Sequence, residues 1–258
     1  MRFSKWHALG NSYLLLERAD LESALEPDDV RRLCDTHRGV GADGILEIVD
    51  VRGPEAEVVV WNPDGSTAEL SGNGARIAAM WLAHRSGVAF PRLRIGGRTV
   101  PARVEGDEVE VDLGEVVVEK PEALEIGDER IEVTPVSVGN PHAVIRRDPS
   151  RDELLRLGPL VEVHERFPGR TNVQLVRPVS PNDLAVLVWE RGAGETLASG
   201  SSAAAAAAAA VTHGWCESPV RVHLPGGTLT VDIREGRAIL RGPVAEIFRG
   251  EIPSATSG

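Results

Sequence analysis

Cysteine is scarce in this chain: two among 258 residues, Cys34 and Cys216. So few thiols, so far apart, make no disulfide framework and show no metal-ligand spacing. Basic residues are outnumbered, with 28 Lys and Arg against 39 Asp and Glu, and the net charge is −11. Phosphate binding wants a basic face, so a nucleic-acid partner is excluded. No uncharged apolar stretch reaches the ~18 residues a spanning helix needs, so no membrane segment is expected. The opening MRFSKWHALG lacks the apolar run of a signal peptide. His7, His37, His84, His142, His164, His213 and His223 are scattered and form no H-x-x-x-H pair, so no metal is expected. LGNS and VGNP lack a following Gly-Lys-Ser/Thr and are not phosphate loops. The default left by these absences is a soluble cytoplasmic protein, and 42% hydrophobic residues suffice for a packed core.

What is present is written twice. WNPDGSTAELSGNGARIAA (61–79) and WERGAGETLASGSSAAAAAAAA (189–210) each run from a Trp to a Ser-Gly ten residues on, then into small residues. Gly10-Asn11 stands opposite Gly139-Asn140, and Ala42 to Leu46 opposite Thr171 to Leu175. Trp61 stands opposite Trp189, Gly96-Gly97 opposite Gly226-Gly227, and Leu113-Gly114 opposite Arg241-Gly242. The offset stays between 128 and 130. Matches in constant register read as two copies of one unit.

Each copy alternates short β-rich runs, such as VVVW (58–61) and LTVDI (229–233), with two helices. The helices are expected over 27–37, 72–84, 150–165 and 202–213. Val30, Leu33 and Cys34 share a face of the first; Leu154, Leu155, Leu157 and Val161 belong to the third. Alanine is the best helix former and leaves a narrow helix that can be approached from every side. The alanine run therefore reads as a buried central helix. The predicted fold is α/β of the α+β type: two pseudo-symmetric domains, 1–118 and 119–258, each a curved, mostly antiparallel sheet around a central helix, with the site in the interdomain cleft. The tail EIPSATSG (251–258) is expected to be disordered.

Each Ser-Gly turn opens a helix whose first N–H groups have no internal partner and whose dipole is positive. Such a turn is an anion seat, and glycine lets a ligand approach. Serine is equally an ordinary N-cap, so either turn alone is ambiguous. Asn11, Asn62, Asn73, Asn140 and Asn172 recur near the turns and offer uncharged donors and acceptors. Glu190-Arg191 adds a charged pair ahead of the second turn. Arg76, on the first turn's helix, could face the cleft, but a solvated or core-capping role is the preferred reading.

The motifs KWHALGNSYLLLE (5–17), GVGADGIL (39–46), WNPDGSTAELSGNGARIAA, SVGNPHAV (137–144), TNVQLV (171–176) and WERGAGETLASGSSAAA (189–205) resemble the diaminopimelate epimerase family over essentially the whole chain. The resemblance implies two pseudo-symmetric α/β domains and a cofactor-independent, two-base epimerisation at the α-carbon of an amino acid. One group removes the proton from one face and a second delivers a proton to the other. By this resemblance, the backbone amides of Gly72, Asn73, Gly200 and Ser201 would hold the substrate carboxylate. Asn11, Asn62, Asn172, Glu190 and Arg191 would fix its other polar groups. Asn140 and His142 would line the site, with His142 and Glu190 assisting the acid–base pair. The implied partner is a small amino-acid or dicarboxylate ligand, and a homodimer is allowed.

The family's two acid–base groups are cysteines, and the matching positions here are Ser71 and Ser199. Its second turn usually reads Cys-Gly-Thr-Gly, where this chain has Ser199-Gly200-Ser201-Ser202. A thiol titrates near pH ~8.5 and a helix start lowers it further, whereas a serine hydroxyl needs an adjoining base. His142 could serve one side, and the sequence offers no comparable base for the other. Three readings stay open: an epimerase with impaired or altered catalysis, an inactive homologue that binds an amino acid or dicarboxylate, and an isomerase or dehydratase of a related acid. Serines introduced by design are disfavoured by the further changes at Ser201 and Ser202. Glu69 and Glu195 lie near the turns, but neither occupies a thiol position.

Overall fold

The computed structural model describes residues 1–252. Two compact units emerge: Met1–Val111 together with the chain from Pro243 onward, and Asp112–Gly242.

The first unit runs β1 (Arg2–Ala8), β2 (Asn11–Glu17), α1 (Pro27–Cys34), β3 (Ile45–Arg52), β4 (Glu55–Trp61), β5 (Thr67–Ala68), α2 (Gly72–Ser86), β6 (Arg92–Ile95), β7 (Arg98–Glu105) and β8 (Glu108–Glu115), which carries the chain past Val111. β1 pairs antiparallel with β2, β2 parallel with β3, and β3 antiparallel with β4. β4 is flanked by β5 and, in parallel, by β6, and the ladder continues antiparallel through β7 to β8. The two parallel pairs need crossovers, which α1 and α2 provide.

The second unit runs β9 (Val117–Val118), β10 (Glu122–Ile126), β11 (Glu129–Ser137), β12 (Pro141–Arg146), α3 (Arg151–Glu162), β13 (Asn172–Ser180), β14 (Asp183–Glu190), β15 (Gly194–Thr196), α4 (Gly200–Thr212), β16 (Val220–Leu224), β17 (Gly227–Arg234) and β18 (Arg237–Pro243). Its pairings repeat the first in order and sense: β11 antiparallel to β12, β12 parallel to β13, β13 antiparallel to β14, then β14 flanked by β15 and parallel to β16. β16, β17 and β18 close it antiparallel. The duplication seen in the residues is thus a duplication of topology.

The boundary differs from the expected 118/119. β19 (Ala245–Glu251) lies against β1, from Arg2 opposite Glu251 to His7 opposite Ala245, and so belongs to the first unit. In the second unit β9 and β10 fill the corresponding edge of β11. A first strand in each repeat needs a partner for its outer ladder groups, and in the first unit β19 supplies it. The expectation of disorder from Glu251 is corrected at its start: Glu251 ends β19, and the Ile252 amide donates to the Met1 carbonyl at 2.9 Å. The rest of that expectation, at 253–258, lies outside the described residues.

α2 and α4 are the central helices. In α2 every residue from Gly72 to Met80 is buried, with Ile77, Met80 and Leu82 among the largest side chains withdrawn from water. In α4 each alanine from Ala203 to Ala210 is at most 1% exposed. α1 and α3 are amphipathic instead. α1 buries Val30, Leu33 and Cys34, and burial raises the Cys34 thiol to about 11. α3 buries Leu154, Leu157 and Val161 and leaves Leu155 39% exposed. α1 stops three residues short of the expected end because Asp35 turns the chain: its carboxylate accepts from the His37 and Arg38 amides at 2.7 and 2.8 Å. α3 ends at Glu162, whose carboxylate accepts from the Trp189 indole N–H at 2.7 Å and the Gly192 amide at 3.0 Å. α4 begins two residues before the expected 202. Among the described residues no helix is long and apolar enough to cross a membrane.

Candidate active site

In the first unit β4 ends at Trp61, a turn follows, and Ser71 caps α2 in extended backbone conformation. The Ser71 hydroxyl accepts from the Gly74 amide at 3.0 Å, the bond of an N-cap. The same oxygen lies 3.0 Å from the Tyr13 hydroxyl. Gly72 and Asn73, first in the helix, have no helical carbonyl for their amides to reach. The Asn73 side chain donates to Asn11 Oδ1 at 3.1 Å and accepts from Arg76 Nη2 at 2.8 Å. Asn11 and Tyr13 alternate along β2, so both face the start of α2. Asn62 sits in the turn after β4, where its side chain donates to Ser66 Oγ at 2.9 Å. Arg76 is not solvated: it is fully buried, and Nη1 donates to the Gly72 carbonyl at 3.1 Å.

The second turn is similar in trace and different in chemistry. Ser199 also precedes its helix in extended conformation, but its side chain makes no cap bond. Its hydroxyl donates instead to Glu190 Oε2 at 3.1 Å, across from the end of β14. Gly200 and Ser201 open α4 as Gly72 and Asn73 open α2. Asn172, at the start of β13, donates to the Pro141 carbonyl at 2.9 Å and accepts from the Arg191 amide at 3.0 Å. The exposed Arg191 side chain reaches the Gly169 carbonyl at 3.1 Å. Glu195 is held by Arg151 at the surface.

His142 has both ring nitrogens engaged. Gln174 Nε2 lies 3.0 Å from Nδ1 and also donates to Ser202 Oγ at 3.0 Å, while Nε2 lies 2.9 Å from Asn140 Oδ1. Burial and the Arg191 charge lower its pKa to about 3, so the ring is neutral near pH 7. With Nδ1 accepting from the amide, Nε2–H donates to Asn140. The ring is thus held between Gln174 on one side and Asn140 on the other.

The residues singled out by sequence fall into two clusters. Ser71, Gly72, Asn73 and Asn11 meet in the first unit; Ser199, Glu190, Gly200 and Ser201 meet in the second, with Asn172 beside Arg191. Tyr13 and Gln174 are not singled out by the sequence reading. Tyr13 sits inside an apolar strand run, and Gln174 inside TNVQLV, where one polar residue among apolar ones was the available signal. Among the described residues no group of three or more His, Cys, Asp or Glu is placed to hold a metal ion.

Fold and site together define a duplicated α/β protein in which each half presents a serine hydroxyl at the start of a buried, small-residue helix. The family model described as diaminopimelate epimerase matches residues 3–119 and 134–245. The diaminopimelate epimerase of Pelotomaculum thermopropionicum is 36% identical over 282 aligned residues, covering 99% of this chain and all of the relative. That of Synechococcus elongatus is 38% identical over 277, covering 99% of both. The chain belongs to the diaminopimelate epimerase family. The fold is also shared with a protein described as a predicted epimerase from Pseudomonas aeruginosa (TM-score 0.75, 16% identity, 98% of this chain and 99% of the other). It is shared as well with a probable proline racemase from Agrobacterium radiobacter K84 (TM-score 0.75, 12% identity, 98% and 92%).

Proposed function

We propose that this chain epimerises the α-carbon of diaminopimelate, converting the LL form to meso without a cofactor, as a step of lysine biosynthesis. Ser71 and Ser199 act on opposite faces of that carbon. The amides of Gly72, Asn73, Gly200 and Ser201 receive the carboxylate, and the helix dipoles favour the charge that develops when the proton leaves. Asn11, Asn62, Asn172 and Arg191 hold the remaining polar groups, and Asn140 is aimed by His142. The ligand is a small amino acid, and the cytoplasm is its compartment.

The observation that carries this reading is the Ser199 hydroxyl on the Glu190 carboxylate at 3.1 Å. A bare serine has no appreciable alkoxide at neutral pH, but a paired base removes the need for one. The carboxylate accepts the hydroxyl proton as the oxygen takes another, so the serine relays rather than ionises. The test is deuterium exchange at the α-carbon of LL- and meso-diaminopimelate in D2O, with the Ser71→Cys/Ser199→Cys variant alongside. Exchange by the native chain supports the reading. Its absence, with rapid exchange in the variant, refutes it.

A second reading, a binding homologue without turnover, draws on one observation: Ser71 spends a lone pair on the Gly74 amide, as an ordinary cap does. It expects thermal stabilisation by diaminopimelate with no exchange.

A further inference from the structure

The two serines are served unequally, and the first lacks a carboxylate like Glu190 among its hydrogen-bond partners. We infer that Tyr13 is the proton partner of Ser71, its phenol oxygen taking up and returning the proton that Ser71 relays, with the buried Arg76 guanidinium as the countercharge. This rests on the epimerase reading above.

Three observations converge on Tyr13. Its hydroxyl lies 3.0 Å from Ser71 Oγ, and the Gly74 amide donates to the same oxygen at 3.0 Å. Those two contacts use the serine's own O–H and one lone pair, and the second lone pair can accept a proton from carbon. The ring is placed by glycine: a Cβ on Gly44 would lie 2.6 Å from Tyr13 Cε1 and 2.6 Å from the Trp61 carbonyl. Gly44, in the GVGADGIL motif, is the residue that leaves room for the phenol beside the helix start.

Arg76 supplies the charge. Its side chain is fully buried, and its bonds go to the Gly72 carbonyl and Asn73 Oδ1, both neutral. Nε has no hydrogen-bond partner among the described residues. A buried cation without a carboxylate is expensive to keep. Burial lowers its pKa to about 10, and the group whose negative charge opposes that fall is Tyr13. The attraction is mutual, so Arg76 also steadies a phenolate.

In the forward step the Cα–H bond breaks as Ser71 Oγ takes the proton. The Ser71 O–H proton passes to the Tyr13 phenolate, and the bonding pair stays on Cα. On the other face a protonated Glu190 passes its proton to Ser199, and Ser199 passes its own to Cα. One proton has entered at Tyr13 and one has left Glu190, so the product state is the starting state for the reverse reaction. Tyr13 touches Ser71 and acts through it, which makes it a positioning and proton-storing residue.

The test is α-proton exchange in D2O by Tyr13→Phe, measured separately from LL- and from meso-diaminopimelate. Each epimer loses its proton to one face only, so removing one partner blocks exchange from one epimer. Exchange from that epimer should fall about 100-fold, the other staying within about threefold. Ser71→Ala should silence the same epimer. Equal exchange from both epimers in Tyr13→Phe, an equal loss from both with unfolding temperature unchanged, or loss of different epimers in the two variants overturns the inference and leaves the epimerase reading standing. Absence of exchange from either epimer with the native chain overturns both. Should Tyr13→Phe unfold, Arg76→Lys against Arg76→Met replaces it: the lysine variant must retain the epimer that the methionine variant loses, and equal loss overturns the inference.

Discussion

Replacing the alanines of α4 one at a time by leucine tests whether the helix is enclosed on every side. Ala205, Ala206 and Ala207 are 0% exposed and Ala208 is 1% exposed. Successive residues in a helix are about 100° apart, so these four positions sample the whole circumference. Each leucine adds three carbon atoms where neighbours already stand in contact. Overpacking of this kind costs about 1–3 kcal/mol. For a chain of this size each kcal/mol lowers the unfolding temperature by about 2–4 °C, so each variant should melt roughly 2–12 °C below the native protein. Thermal unfolding followed by circular dichroism reads the shift, and urea titration at 25 °C checks it against the midpoint. A helix with one wet face would show at least one neutral position. If any of the four leucines leaves the unfolding temperature unchanged within about 1 °C, the claim of burial on all sides is wrong.

Three further outcomes follow from the site. Glu190→Gln keeps a hydrogen bond to Ser199 but removes the base, so deuterium exchange from one epimer should drop about 100-fold while the unfolding temperature holds. Gly44→Ala drives a methyl into the Tyr13 ring and the Trp61 carbonyl; destabilisation of about 1–3 kcal/mol in urea unfolding, with loss of the Ser71-side exchange, is expected. His142 is neutral in the fold with a pKa of about 3, below its ordinary value near 6.5. The unfolded chain therefore takes up a proton first as pH falls. The stability this contributes is complete above pH 6.5 and is lost toward pH 3, at up to about 1.4 kcal/mol per pH unit. His142→Gln should flatten the unfolding free energy between pH 6 and 4 relative to the native chain; parallel curves would count against a buried neutral imidazole.

Much of the architecture was legible because duplication writes the same punctuation twice. Trp, Ser-Gly and paired glycines recur in register, and the paired strands follow them. The alanine run declared its own burial, since a helix without bulky side chains has no surface to lose by being enclosed. Contacts between residues distant in sequence were hidden. Nothing in AEIFRGE says that it lies against RFSKWHA, because an edge strand is specified by the neighbour it completes. The two serines looked alike because spacing reports position, not which lone pair is in use. Tyr13 was passed over because a residue in YLLL reads as core, and its hydroxyl contact depends on space left by Gly44, 31 residues away. The burial of Arg76 could not be read with certainty because charge predicts exposure unless a special reason keeps it inside.

The return of β19 to β1 has a bearing on synthesis. During translation the segment that finishes the N-terminal half leaves the ribosome only after the whole of Asp112–Gly242. Asp112–Gly242 is complete while its predecessor still waits with β1 uncovered along one edge. A protein assembled in this order exposes an unfinished ladder for the whole time its second unit is being made, and loss of β19 would wound the beginning.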